Sequence, residues 1–181
     1  MIKCAEHVEK DCDFLFYCTA IADERKYIAD IKHKIESIPG WNTKIIVRKS
    51  IDSEGAKRME QKEYYHKLAK SRYTICIQSY DSSTFSIYRF IEAVANDCLP
   101  FIHDGCCLDD VKCTFPDIYE IMKNKLIVKG FMEVKRKIDE ISENERINIL
   151  NEIKSTKSWK NFTNEKFIKK CWKQLKGLKV K

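Results

Sequence analysis

The stretch Tyr73–Gly105, YTICIQSYDSSTFSIYRFIEAVANDCLPFIHDG, constrains the fold of this chain more than any other. It opens with an apolar run, Tyr73–Ile77, of strand length and rich in Ile, Tyr and Cys. A polar turn follows, Gln78–Thr84, dense in Ser and Asp. Apolar residues then recur at Phe85, Ile87, Phe90, Ile91, Val94 and Ala95, the spacing of a helix face. A second short apolar run, Leu99–Ile102, ends at Asp104-Gly105. Strand, turn, helix, strand is a βαβ unit, so the two strands are expected to be parallel and the crossover right-handed.

The flanking sequence continues that pattern. Asp13–Ala20 contains the continuously apolar run FLFYC, as strands covered on both faces do. Ile21–Arg25 reads as a loop, and Lys26–Ile38 as a helix with Tyr27, Ile28, Ile31 and Ile35 inward, stopped by Pro39-Gly40. Thr43–Arg48 reads as a second strand, Asp52–Lys62 as a polar loop or ragged helix start, and Tyr64–Ser71 as a short helix feeding Tyr73. Beyond Gly105, Cys106–Phe115 is expected to be irregular. Pro116–Lys123 reads as a short helix with Pro at its start. Leu126–Val128 is a short strand, Met132–Ile141 and Glu143–Lys154 are amphipathic helices, and Trp159–Leu175 is a last helix. Strands alternating with helices predict an α/β fold, a Rossmann-like doubly wound parallel sheet.

The residues with chemistry lie at the start of the helix after Tyr73–Ile77. Ser82, Ser83 and Thr84 are all good N-caps, and the free N–H groups of a helix start favour an anion. Arg89 and Glu92 stand three residues apart, on one helix face. A guanidinium clamps a diphosphate bidentately, and a carboxylate accepts hydrogen bonds from ribose hydroxyls. That combination suits a nucleotide diphosphate; the same spacing also suits an ordinary surface ion pair. Ser86 either caps the helix or reaches a ligand, and Tyr80 either packs on a sugar or base or covers the core. His103 and Asp104, ending a strand, are expected to face the same crevice.

Composition narrows the class. At 181 residues, 44% hydrophobic and 34% charged, the chain suits one soluble globular unit. Its longest apolar runs fall short of the roughly 20 residues of a membrane span, and MIKCAEHVEKDCD lacks the apolar centre of a signal peptide, so a cytoplasmic chain without a membrane partner is expected. Nine cysteines, an odd number, several inside apolar strands, read as reduced thiols. His103, Cys106, Cys107 and Cys113 lack zinc-finger spacing, so no metal is expected. The net charge of +7 favours phosphate-rich partners, DNA among them, although much of the excess lies in Lys154–Lys181.

The order of Phe85, Arg89, Glu92 and the strand ending at Asp104, with Tyr80, Ala95 and Asp97, resembles the donor-binding half of GT-B glycosyltransferases. Within that class it is most similar to the DNA beta-glucosyltransferases of T-even phages. A second block, DFLFYCTAIADER, Asp13–Arg25, resembles that family's first strand and phosphate loop. The resemblance covers nearly all of this chain and about half of the family's two-domain architecture.

The resemblance implies that residues 1–181 form a single nucleotide-sugar-binding domain, with a carboxy-terminal helix at about 159–175. It implies that Arg25 holds the donor diphosphate; Ile21 stands where the phage enzymes carry another arginine. It implies contacts to the donor from Arg89, Glu92, Thr19, Tyr80 and Asp104, to which Ser86 is added as a candidate from its place at the helix start. The expected activity is transfer of a hexose, glucose first, from a UDP-sugar to modified DNA bases, with no tightly bound cofactor. The alternative is a module that binds a nucleotide or nucleotide-sugar without turnover. In the resembling enzymes the base that activates the acceptor lies in the amino-terminal domain. A partner chain or a second copy of this one is therefore expected to supply the missing half. The fallback bases are Asp81, Asp104, Asp109 and Asp110.

Overall fold

The computed structural model describes residues 8–20, 25–49, 61–77 and 85–163. Among these residues five strands form one parallel sheet in the order β2-β1-β3-β4-β5. They are β1 Cys12–Ala20, β2 Thr43–Lys49, β3 Ser71–Cys76, β4 Leu99–His103 and β5 Ile127–Val128. Helix α1, Arg25–Glu36, joins β1 to β2; α2, Gln61–Ala69, leads into β3; and α3, Ile87–Ala95, joins β3 to β4. The chain steps outward from β1 to β2, then returns past β1 to lay down β3. Right-handed crossovers in opposite directions place α1 and α2 on opposite faces of the sheet.

Burial within β1 shows both faces covered. Phe14, Leu15 and Phe16 are all at 0% exposure, which a strand covered by helices on one face only would not give. Phe14 and Phe16 share a cluster with Ile31 and Ile35 of α1. Leu15 packs in a separate cluster with Leu68 of α2, Ala93 of α3 and Cys98. Phe14 also stacks on Trp41, with centroids 4.7 Å apart. Register is fixed beside this core: Leu15 pairs with Thr74, whose buried hydroxyl donates to the Leu15 carbonyl at 2.7 Å.

The turn from α3 into β4 is built differently. Asp97 has φ of +57°, the left-handed region that Asp tolerates better than most residues. Arg146 of α7, Glu143–Ser155, donates Nη1 to the Asp97 carbonyl at 2.6 Å, and Lys154 ion-pairs with the Asp97 carboxylate. Arg146 is itself buried and forks onto Glu143 through Nε and Nη2, at 2.9 and 2.6 Å. Lys10 adds hydrogen bonds to the Ser71 and Asn96 carbonyls. These contacts tie the amino-terminal end of the sheet to α7, around a cavity of ≈ 450 Å³ lined by Lys10, Arg72, Asn96, Asp97, Glu143 and Arg146.

After β4 the expectation of an irregular segment at 106–115 is corrected. Asp109–Thr114 is a helix, α4, holding Val111 against the core. Six residues carrying one buried side chain are too few to show a period. Helix α5, Pro116–Ile121, begins at its proline and runs into a π-helical turn, Met122–Leu126, before β5. Helix α6 spans Phe131–Glu140, and α8 spans Lys157–Thr163. Phe162 of α8 lies edge-on to Phe115 and Tyr88, each at 6.0 Å. The rest of the helix expected at 159–175 lies outside the described residues. Among the described residues no helix is long and apolar enough to cross a membrane.

Candidate functional site

In an open parallel sheet, ligands sit at the carboxyl ends of the strands, where the strand order reverses. Here the reversal lies between β1 and β3. Five side chains from three elements meet beside it. Tyr17 comes from β1, Tyr64 and Tyr65 from α2, and Arg89 and Glu92 from α3. Because α3 runs back against β3, Arg89 in its first turn is nearer the carboxyl edge than Glu92.

The cluster is a chain of contacts that starts at Arg89 and ends at Glu92. The Arg89 guanidinium carbon lies 5.1 Å from the centroid of the Tyr17 ring. Tyr17 packs on Tyr64 with centroids 4.6 Å apart, and Tyr64 on Tyr65 at 5.8 Å. Tyr65 Oη donates to Glu92 Oε1 at 3.1 Å. Arg89 and Glu92 are thus not spent on each other: the cation lies on an aromatic face, and the carboxylate takes a phenol. Both are half-buried.

Burial dominates the electrostatics. Desolvation holds the Glu92 carboxyl above its ordinary range, opposed by the Tyr65 hydrogen bond and by the Arg89 charge. Burial also pushes the Tyr64 phenol well up, so it stays neutral. Among the described residues this cluster therefore offers the Arg89 cation, the Glu92 carboxylate and an aromatic wall, in surroundings less screened than open solvent.

The remaining expected residues are placed as follows. Ser86 occupies the N-cap position of α3 with φ −84° and ψ 92°, but its side chain makes no capping bond. The helix thus starts later than Ser82–Thr84 indicated, and those three lie outside the described residues, as does Tyr80. Thr19 is in β1 and Arg25 is the first residue of α1, which places both backbones at the carboxyl edge of β1. Asp104 follows β4, with its N–H donating to Val128 O at 2.9 Å and its carboxylate exposed.

His103 does not share the Arg89 crevice. It lines a separate cleft of ≈ 740 Å³ on the α1 and α6 face, with Lys34, Lys129 and Phe131. Side chains alternate along a strand, so His103 and its predecessor Ile102 point to opposite faces. His103 Nδ1 accepts a hydrogen bond from the Gly105 N–H at 3.1 Å. Asp104 Oδ1 approaches the same nitrogen to 3.4 Å. Among the described residues no three of His, Cys, Asp or Glu come together as metal ligands. Cys106 is buried and directs its thiol to the Cys76 carbonyl, while Cys107 faces solvent beside Asp109.

Sequence reasoning missed Tyr17 and Tyr65. Tyr17 hid inside a continuously apolar strand. For Tyr64 and Tyr65 the clue is adjacency: neighbours on a helix diverge by about 100°, so one meets β1 and the other α3.

No family model matches the sequence, and no match was found among curated proteins. Among solved structures, the chain is similar to an alpha1,3-fucosyltransferase at 15% identity and a TM-score of 0.44. The likeness covers 82% of this chain and 39% of that one, so this chain spans well under half the length of the structure it matches. At that TM-score the likeness carries no argument, and the doubly wound α/β assignment rests on strand order and direction alone.

Proposed function

We propose that this chain binds a nucleotide-sugar at the β1–β3 switch point and serves as the donor-binding part of a GT-B-type glycosyltransferase. The observation that carries the reading is the placement of Arg89 and Glu92, one turn apart on α3, against the tyrosines beside that switch point. Arg89 is positioned for the diphosphate, which a planar guanidinium grips in bidentate fashion. Glu92, one turn deeper, is positioned for the ribose hydroxyls. Thr19 and Arg25, at the carboxyl edge of β1, are the further phosphate contacts, with Ser86, Tyr80 and Asp104 completing the donor set.

UDP-glucose is the first donor proposed, and hydroxymethylated DNA the first acceptor. The DNA part is supported by the +7 charge and by the resemblance of the Tyr73–Gly105 stretch. The acceptor-activating base is assigned to a partner chain or second copy. Titration calorimetry with UDP, UDP-glucose and ADP tests the donor reading, with UDP and UDP-glucose binding and ADP not. A transfer assay on hydroxymethylated DNA tests the enzyme reading. Binding without transfer under every pairing would leave a nucleotide-sugar-binding module; no binding of either uridine nucleotide would end the proposal.

A further inference from the structure

We infer that Tyr65 is a positioning residue, holding Glu92 so that the site selects a nucleotide with an intact ribose diol; this rests on the donor reading above. A carboxylate on a helix has two side-chain torsions and a broad terminal one, so an isolated Glu sweeps a wide arc. Glu92 is denied that arc. Its Oε1 takes the Tyr65 hydroxyl at 3.1 Å, from a helix that the chain lays down independently of α3. Tyr65 is itself fixed by Tyr64, which is wedged on Tyr17. The chain of rings therefore runs from the β1 core to one carboxylate oxygen. Oε2 has no hydrogen bond among the described residues, and it sits one helical turn behind Arg89 on the same face.

That geometry has a chemical consequence. A vicinal diol presents two hydroxyl donors. A carboxylate held by one oxygen keeps the other, and the spare lone pair of the first, in a fixed plane to receive them. A freely rotating Glu would gain the same bonds only after losing side-chain freedom. Tyr65 thus acts through Glu92 and makes no claim on the phosphates.

The test compares UDP with its 2′,3′-dideoxy analogue by calorimetry, on the whole chain and on Tyr65→Phe and Glu92→Gln. Unfolding midpoints are measured alongside. Wild type is expected to favour UDP by about tenfold or more, the worth of a charge-assisted hydrogen bond. Tyr65→Phe should narrow that ratio severalfold and leave affinity for the dideoxy analogue unchanged. Glu92→Gln should narrow it further. If Tyr65→Phe keeps the full ratio while Glu92→Gln loses it, Tyr65 does not position and the donor reading survives. If Tyr65→Phe weakens both nucleotides equally, Tyr65 is a structural link between α2 and α3, and the inference is overturned. If wild type binds neither nucleotide, or binds both alike, the diol reading of Glu92 fails, and this inference with it.

Discussion

Arg89 lies over the face of Tyr17, its guanidinium carbon 5.1 Å from the ring centroid. The contact ties the first turn of α3 to the carboxyl half of β1, across the reversal in strand order. It holds the cation without consuming its five donors, because a π face attracts charge and takes few hydrogen bonds. Arg89→Ala should therefore weaken UDP binding by about 10- to 100-fold, the loss of one strong charge-assisted contact. Arg89→Lys should recover little, since an ammonium offers neither the fork nor the planar stack. Calorimetry on both variants checks this, and equal affinities for wild type and Arg89→Ala would remove Arg89 from the site.

Glu92 yields a prediction about stability. Burial raises its pKa in the folded chain above the ordinary value of 4.5. The folded state then binds the proton more tightly than the unfolded state. Stability from this group is present below pH 4.5 and is lost as pH rises through the raised value. Glu92→Gln removes that slope while keeping an acceptor for Tyr65. At pH 7 it should melt no lower than wild type, although it binds the nucleotide more weakly. A clear fall in melting temperature at pH 7 would mean that the ionised carboxylate stabilises the fold.

Much of this arrangement was legible in the sequence, for reasons that can be named. The βαβ unit around Tyr73–Gly105 was readable because an apolar run, a polar turn and a strong helix face follow one another without ambiguity. The start of α3 was not: Ser82, Ser83, Thr84 and Ser86 are all competent N-caps, and only the fold selects Ser86. The short helix α4 gave no periodicity to read. The pair Arg89 and Glu92 was visible, but their partners were not, because Tyr17 and Tyr65 reach them from elements distant in the chain. Facing was the hardest property. His103 and Arg89 lie on opposite faces of a sheet whose edge both approach, which a one-dimensional pattern does not display.

At the opposite end of the sheet, Arg146→Ala should destabilise the chain by about 1–3 kcal/mol, because it strands the Asp97 carbonyl and breaks the fork to Glu143. The Arg146 hydrogen bond lowers the Glu143 pKa below its ordinary 4.5. That contribution is present above pH 4.5 and is lost as pH falls through the lowered value. Urea unfolding at pH 7 and pH 3.5 tests both statements: the gap between wild type and Arg146→Ala should shrink at the lower pH.

The cysteines should differ in reactivity. Burial pushes the Cys76 and Cys98 thiols up to about 12, leaving almost no thiolate at neutral pH, whereas Cys107 and Cys113 are exposed. Brief alkylation of the native chain followed by peptide mapping should mark Cys107 and Cys113 before Cys76 and Cys98, and reach the latter two only on unfolding. Early labelling of Cys98 would contradict the close packing of Leu15, Leu68 and Ala93 around it.

The central claim is that α3 presents a nucleotide diphosphate site at the switch point. The most direct measurement is UDP binding by calorimetry to wild type, Arg89→Ala, Glu92→Ala and the double variant, each shown to be folded by its unfolding midpoint. The account predicts measurable affinity in wild type, a fall of about tenfold or more in each single variant, and no detectable binding in the double. Undiminished UDP affinity in the folded double variant would contradict it and move the site away from α3.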